Sequence, residues 1–315
     1  MDRPYFPART FSFQKLSGPL GFDVYVKLGA TKYAKIFAAG DILELERLSA
    51  YILKGTEHFY IPQEHQRAFI GAASGVLDQI AKSNGVYDSD AEQVLDEVTS
   101  SVLTDVFSQN VLNTESHKTL STVISSYVDL AKRQPSVFPN LLKLARKQDA
   151  IYRHQVTTSI FSTLIARAYD PNNLDLIYAT GYAALIHDIG ISLLSLNHDE
   201  HAMNIDKNEI KKIRMHPNKG ADFLRKINGM PPIIIATVLQ HHEGFDGLGY
   251  PLNLKGDKIV LPARILHVAD AFASHISGGR NAIALPPAMA LHSLTLDRGH
   301  DPAVVTALAK LLKLG

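Results

Sequence analysis

The chain of 315 residues contains no cysteine. That excludes disulfides, thiolate metal sites and cysteine nucleophiles, and it fits a reducing cytosol. An excess of one charge is equally lacking. Lys and Arg number 32 against 31 Asp and Glu, so no whole-chain field points to a nucleic-acid polymer or a membrane surface. No apolar run approaches the ~20 residues that span a bilayer. The N-terminal MDRPYFPARTFSF has no apolar core of the kind a signal peptide needs. Internal repeats and low-complexity segments are also missing. These absences predict a soluble cytoplasmic protein, long enough for two domains. What the chain does have is histidine, fourteen in all, and the order of some of them is informative.

The first third carries no recognisable chemistry. Phe22, Val24, Val26 and Leu28 alternate with Asp23, Tyr25 and Lys27, the pattern of a half-buried strand. A second strand is expected over 33–38, closed by Gly40. Asp41 with Glu44 three residues on reads as a capping box opening a helix through Leu45 and Leu48 to Gly55. His58 to Ile61 reads as a further strand. From Gln63 to Lys147 the chain reads as helical, with breaks near Asn84-Gly85, Asn110 to Asn113 and Pro135 to Pro139. His58, His65 and His117 stand apart from one another. The expectation for residues 1–149 is a small α+β and helical module, either a scaffold or a sensory or docking unit.

The second half is different. Ile234, Ile235 and Val238 form a helical stripe that His241 and His242 continue, and the loop GFDGLGYP follows at once. Both imidazoles should end a helix while facing the core. One histidine there would more often be a satisfied core residue; two side by side, feeding a glycine-rich loop, point to metal. Asp188 falls on the stripe of Leu174, Ile177, Gly181, Ala184 and Leu185, preceded by His187, with Gly190 as the expected helix stop. A carboxylate on a core-facing stripe is costly unless a cation or several donors meet it. His216 precedes Pro217, a helix start, and Asp270 lies on the helix that Pro262 begins. His154 opens the face of Val156, Ile160, Phe161, Leu164 and Ile165. Nitrogen and oxygen ligands of this kind suit iron, manganese, zinc or nickel rather than calcium.

HDIG at 187–190, HPNKG at 216–220, HHEGFDGLGYP at 241–251 and VAD at 268–270 together resemble the HD-GYP family, metal-dependent phosphodiesterases of the bacterial second messenger cyclic di-GMP. The resemblance covers residues 150–315 and implies a mainly α fold, with a helical HD-type domain behind the smaller N-terminal module. It implies that His154, His187 and Asp270 hold one metal, that His216, His241 and His242 hold a second, and that Asp188 bridges them beside a hydroxide. Seven protein ligands with one bridging fill eight positions; the hydroxide fills two more of about twelve, leaving about two for phosphate oxygens. Tyr250 is then the residue expected to stack on a guanine face.

The sequence departs from the family where substrate is held. The lysine usual after HDIG is Ile191 here, and the glutamate of members with a third metal is Ala150, beside Asp149, so two metals are expected. After VAD the chain reads AFASHISGGRNAIA: Arg280 is displaced by one residue from the family's arginine and a Pro-Tyr-basic element is missing. Arg214 and Arg264 are the remaining candidates to contact phosphate. Asn197 to His201, rich in ligand types, reads as a surface loop or lid; His267, His275, His292 and His300 read as structural or exposed. The resemblance therefore implies a binuclear, iron-type phosphodiesterase with weak activity on cyclic di-GMP. Its alternatives are a metal-binding relative that senses a nucleotide or docks a signalling protein, and a phosphohydrolase of another nucleotide. Homodimerisation is left open.

Overall fold

The computed structural model describes residues 5–29, 32–82, 89–134, 136, 138–145, 150–194, 207–278 and 283–313. The chain divides into two compact units, one of Met1–Val102 with Glu115–Ser126 and one of Leu103–Thr114 with Tyr127–Gly315.

In the first unit, β1 (Tyr5–Arg9), β2 (Val24–Lys27), β3 (Tyr33–Phe37) and β4 (His58–Pro62) form an antiparallel sheet in the order β1-β4-β2-β3. Strand β1 and the short helix α1 (Thr10–Gln14) behind it precede the first strand expected from the sequence. Alternation gives the sheet its inner face: Val24, Val26, Phe59 and Ile61 are buried. Phe13, Phe22 and Phe59 join Phe69 of α3 (Gln66–Lys82) in a cluster of rings, with Phe13 5.1 Å from Phe59 and 5.4 Å from Phe69.

The capping box at Asp41 does not form. Helix α2 is Leu45–Leu53, its N-cap is Glu44, and no side chain caps it. The Asp41 carboxylate instead accepts the Ala38 N–H at 2.8 Å, closing the turn after β3. The C-terminal end is as expected, with Gly55 at φ +85°, a conformation that suits glycine. Helices α4 (Ser89–Gln109) and α5 (Thr114–Arg133) meet at the anticipated break, with Asn110 at φ +51°.

The second unit contains α6 (Phe138–Ala145), α7 (Ala150–Tyr169), α8 (Leu174–Ile186), α9 (Ile189–Ser192), α10 (Lys207–Ile213), α11 (His216–Leu224), α12 (Pro232–Gln240), α13 (Leu261–Ser277), α14 (Pro287–Leu296) and α15 (Pro302–Lys313). Helix α8 is its centre. Every residue from Leu176 to Ile186 except Tyr178 is buried, as expected of a helix apolar on all sides. Its first turn is fixed by the Asn173 side chain, which accepts the Leu176 N–H at 3.0 Å. Helix α7 lies against it, with Ser159 Oγ donating to the Gly181 carbonyl at 2.9 Å. Phe161, Ile165, Ile177, Val268, Phe272, Leu294 and Leu308 are among the residues that close the core around α7, α8, α13, α14 and α15. The chain is mainly α. No helix among the described residues is long and apolar enough to cross a membrane.

Gly190 is not a helix stop. It lies within α9, and a Cβ there would overlap the His216 carbonyl and lie 2.8 Å from Gly220 N. Glycine is required because α9 and α11 touch backbone to backbone.

Candidate metal centre

Six helices deliver the polar cluster. His154 comes from the second turn of α7, His187 caps α8 and Asp188 is the N-cap of α9. His216 opens α11, His241 caps α12 with His242 next, and Asp270 comes from α13. Helix ends dominate this set because there a side chain can face the core while the chain turns away.

Three imidazoles are oriented by the same device. Nδ1 of His187, His216 and His241 faces the carbonyls of Ala184, Ile213 and Val238 at 2.8, 2.7 and 2.6 Å. Donating Nδ1–H to those carbonyls turns each Nε2 inward, where the neutral imidazole presents a lone pair. His216 Nε2 and His241 Nε2 then face each other at 3.0 Å, an arrangement that repels unless a cation or proton lies between. Asp188 Oδ1 is 3.3 Å from His216 Nε2, while its Oδ2 is 3.3 Å from His187 Nε2 and 3.9 Å from His154 Nε2. Asp270 Oδ1 sits 3.0 Å from His154 Nε2 and 3.9 Å from His187 Nε2. That oxygen is buried with the His154 imidazole as its near partner.

Two groups could each hold a metal ion, Asp188 with His216, His241 and His242, and His154 with His187 and Asp188, their donor atoms within 4.8 Å of one another in each. Asp188 belongs to both. The electrostatics of His216, His241, His242 and Asp188 agree with ligand chemistry, whereas His187 carries a proton that a metal ion would have to displace. Burial, reinforced by neighbouring imidazoles, holds His241 well below the ordinary histidine range and His242 at about 3, so both are neutral. Burial also lowers His216 against the pull of Asp188. Burial would raise Asp188, but the imidazoles of His187, His216 and His241 outweigh it and keep the carboxyl ionised. His187 is pulled down by burial and carried the other way by Asp188 and Asp270, to about 9.

Tyr250 stacks on His242, ring centroids 4.8 Å apart and planes 23° apart, and the Arg214 guanidinium lies 4.9 Å from the Tyr250 ring. Arg214 is exposed, so it stands at the rim of the cluster. Arg264 is elsewhere: its Nη1 donates to Asp257 at 2.9 Å and to Asp301 at 2.8 Å, and its guanidinium lies over Phe245. It braces the 244–251 loop against α13 and the start of α15 rather than facing the cluster. Arg280, Asp149 and Asn197 to His201 lie outside the described residues.

Sequence reasoning missed two residues of this neighbourhood. Glu243, buried behind the histidine pair, accepts the N–H groups of Leu252 and Leu254 and ties the glycine-rich loop down. Gln155, also buried, places its amide 3.4 Å from Asp188 Oδ2. The available signal for Glu243 was a carboxylate directly between the histidine pair and the glycine-rich loop; Gln155 had none. His267, read as structural or exposed, faces the His241 carbonyl with Nδ1 at 2.8 Å, one layer behind a candidate ligand.

The HD domain family model matches residues 137–304, more than half of the chain. With the HDIG, HPNKG, HHE…GYP and VAD segments converging on one cluster, that match decides the family. The chain belongs to the HD-GYP family. This HD-GYP protein is 28% identical over 179 residues to a cyclic di-GMP phosphodiesterase of Pseudomonas aeruginosa, a match covering 56% of this chain and 43% of that one. It is 32% identical over 164 residues to the 3′3′-cGAMP-specific phosphodiesterase 3 of Vibrio cholerae, covering 51% of this chain and 35% of that one. The chain thus spans less than half the length of these relatives. Among solved structures, Bd1817, an HDG"Y"P protein from Bdellovibrio bacteriovorus, shares the fold with a TM-score of 0.64 at 20% identity, over 98% of this chain and 99% of that one.

Proposed function

We propose that this HD-GYP protein is a metal-dependent phosphodiesterase that opens cyclic dinucleotides, cyclic di-GMP first among them, and that it does so slowly. The observation that carries the reading is Asp188, whose two oxygens face two separate sets of imidazole donors. In this reading His154, His187 and Asp270 hold one divalent transition metal, His216, His241 and His242 hold the other, and Asp188 bridges; iron is the first candidate, with manganese, zinc and nickel as alternatives. Bound there, two cations would activate water and neutralise phosphate charge. Each protein group has a simpler task. The backbone carbonyls behind the imidazoles fix the tautomers, Asp188 and Asp270 supply anionic oxygens, and burial of His187, His216 and His241 excludes bulk water from one side. The relatives' named substrates, cyclic di-GMP and 3′3′-cGAMP, support a cyclic dinucleotide.

Slowness follows from what surrounds the cluster. Ile191, one turn beyond Asp188, offers no charge to a phosphate, and at the rim Arg214 lies over the Tyr250 ring. Positioning an anionic dinucleotide for in-line attack then rests on fewer contacts. The same Ile191 favours the second reading, a metal-binding relative that senses a nucleotide or docks a signalling protein. Incubating metal-loaded protein with cyclic di-GMP and chromatographing the products separates them. Slow formation of linear dinucleotide or GMP, accelerated about tenfold or more in Ile191→Lys at equal metal content, is expected, since one charge-assisted contact is worth about that much. No product from either protein favours the sensor.

A further inference from the structure

The sheet of the first unit has a second face. While Val24, Val26, Phe59 and Ile61 point to the core, Tyr25 and Lys27 of β2, Tyr33 and Lys35 of β3 and Tyr60 of β4 point the other way, none of them buried. Register explains why they meet: Tyr25 is opposite Tyr60 and Lys35, and Lys27 is opposite Tyr33. Tyr5 of β1 completes the group. Its ring stacks on Tyr33 with centroids 4.2 Å apart and planes 25° apart, and meets Tyr25 edge-on at 5.0 Å; Tyr33 meets Tyr60 edge-on at 5.1 Å.

The cations on this face are not equivalent. Lys35 is held by Asp23 at 2.5 Å. Lys27 places its ammonium 6.0 Å from the centroids of both Tyr33 and Tyr60, and among the described residues no carboxylate pairs with it. The hydroxyls of Tyr5, Tyr33 and Tyr60 likewise have no hydrogen-bond partner among the described residues. Three open phenol donors, one unpaired ammonium and the Tyr25 ring, whose hydroxyl donates to Asp23 Oδ2 at 3.5 Å, are therefore gathered on one surface.

We propose that this face binds a purine nucleotide, the base stacked on the tyrosine cluster and the phosphate held by Lys27 and the phenol hydroxyls. Charge and shape together select that class. An apolar peptide would bury the Lys27 ammonium unpaired, which is costly, and a neutral sugar would leave it unmatched. A polymer of phosphates would need more than one free cation to neutralise it. A mononucleotide offers one π face and one anion, which is what the surface can satisfy, and stacking of a base on an aromatic ring contributes to such binding. The site lies wholly within the first unit and stands independently of the activity proposed above.

The test uses the full chain in excess chelator, so that the histidine cluster holds no metal to capture phosphate, with 5′-GMP as the probe in equilibrium dialysis. Saturable binding of one GMP per chain is expected, weakened tenfold or more in Lys27→Glu and in Tyr33→Leu. Lys27 is exposed, so its reversal leaves the core intact, and an unaltered thermal midpoint confirms this for both variants. Absence of saturable binding, or binding that either platform variant leaves unchanged, overturns the proposal. So does a Lys27→Glu protein whose sedimentation changes while its GMP affinity does not, since the face would then be a protein interface. Equal competition by inorganic phosphate alone would also overturn it, because the base would contribute nothing.

Discussion

Asp188 is costly where it stands, and that cost makes it diagnostic. It is a carboxylate on a core-facing position, kept ionised only by the imidazoles around it. Removing it deprives both candidate metal groups of a shared donor. Asp188→Ala is expected to lose both metals together and to unfold at lower temperature, because the facing imidazoles lose the ion that reconciles them. Elemental analysis tests this, and full occupancy in the variant would remove the bridging role. Arg214 belongs to the same scale. Exposed and resting on Tyr250, it is the residue that the proposed activity would use to meet a substrate phosphate. Arg214→Gln should raise KM about tenfold, the scale of one charge-assisted contact, while metal content stays at the parent's level. A loss of metal instead would make the residue structural.

At the scale of elements, two contacts set the geometry of the cluster. The first is the crossing of α9 and α11 at Gly190. A methyl group there meets backbone on the other side, which cannot rotate away. Gly190→Ala should cost roughly 1–3 kcal/mol or more and shift His216 relative to Asp188, so that thermal stability and metal content fall together. An alanine variant as stable as the parent would show that the helices can separate freely. The second is the tie between Glu243 and the loop that carries Tyr250. Glutamine keeps the shape but can accept only through one oxygen, leaving the Leu252 or Leu254 N–H without its partner. Glu243→Gln should therefore cost about 1–3 kcal/mol locally, seen as faster hydrogen exchange at Leu252 and Leu254 while amides of α8 keep their protection.

At the scale of the whole molecule, the first unit carries a pH dependence of its own. Glu97 of α4 accepts the Arg9 N–H at 2.8 Å and the Ser12 hydroxyl at 3.1 Å, tying that helix to β1 and α1. Burial nonetheless dominates these bonds and raises its carboxyl from 4.5 to about 7. Between those two values the folded protein keeps the proton and the unfolded chain gives it up, so raising the pH through that window favours unfolding. Below about pH 4.5 the penalty is absent, and above about 7 it is complete, on the order of 3 kcal/mol. Glu97→Gln, neutral throughout, should gain stability relative to the parent by about that amount as the pH goes from 4.5 to 7, read from urea unfolding of both proteins. A constant difference across the window would mean that Glu97 ionises freely in the folded state.

How much of this the sequence decided by itself differs between the two units, and the reason is physical. Helix periodicity, proline at helix starts and glycine-rich turns are local, so α7, α8, α11, α12 and α13 were legible, as were the histidines and aspartates on them or at their ends. The strands β2, β3 and β4 were legible from alternation within a residue or two. Strand β1 was not, because Pro7 interrupts the pattern and its pairing with β4 lies about fifty residues away in the chain. The Asp41 cap failed for a related reason: a nearby turn N–H competed for the same carboxylate. Tertiary structure alone decided that Asp188 faces two sets of donors, that Arg264 is consumed by Asp257 and Asp301, and that Gly190 serves a helix crossing rather than a helix end. Those are distances between segments far apart along the chain. Spacing can say which residues share a face of one helix; only packing says which faces meet.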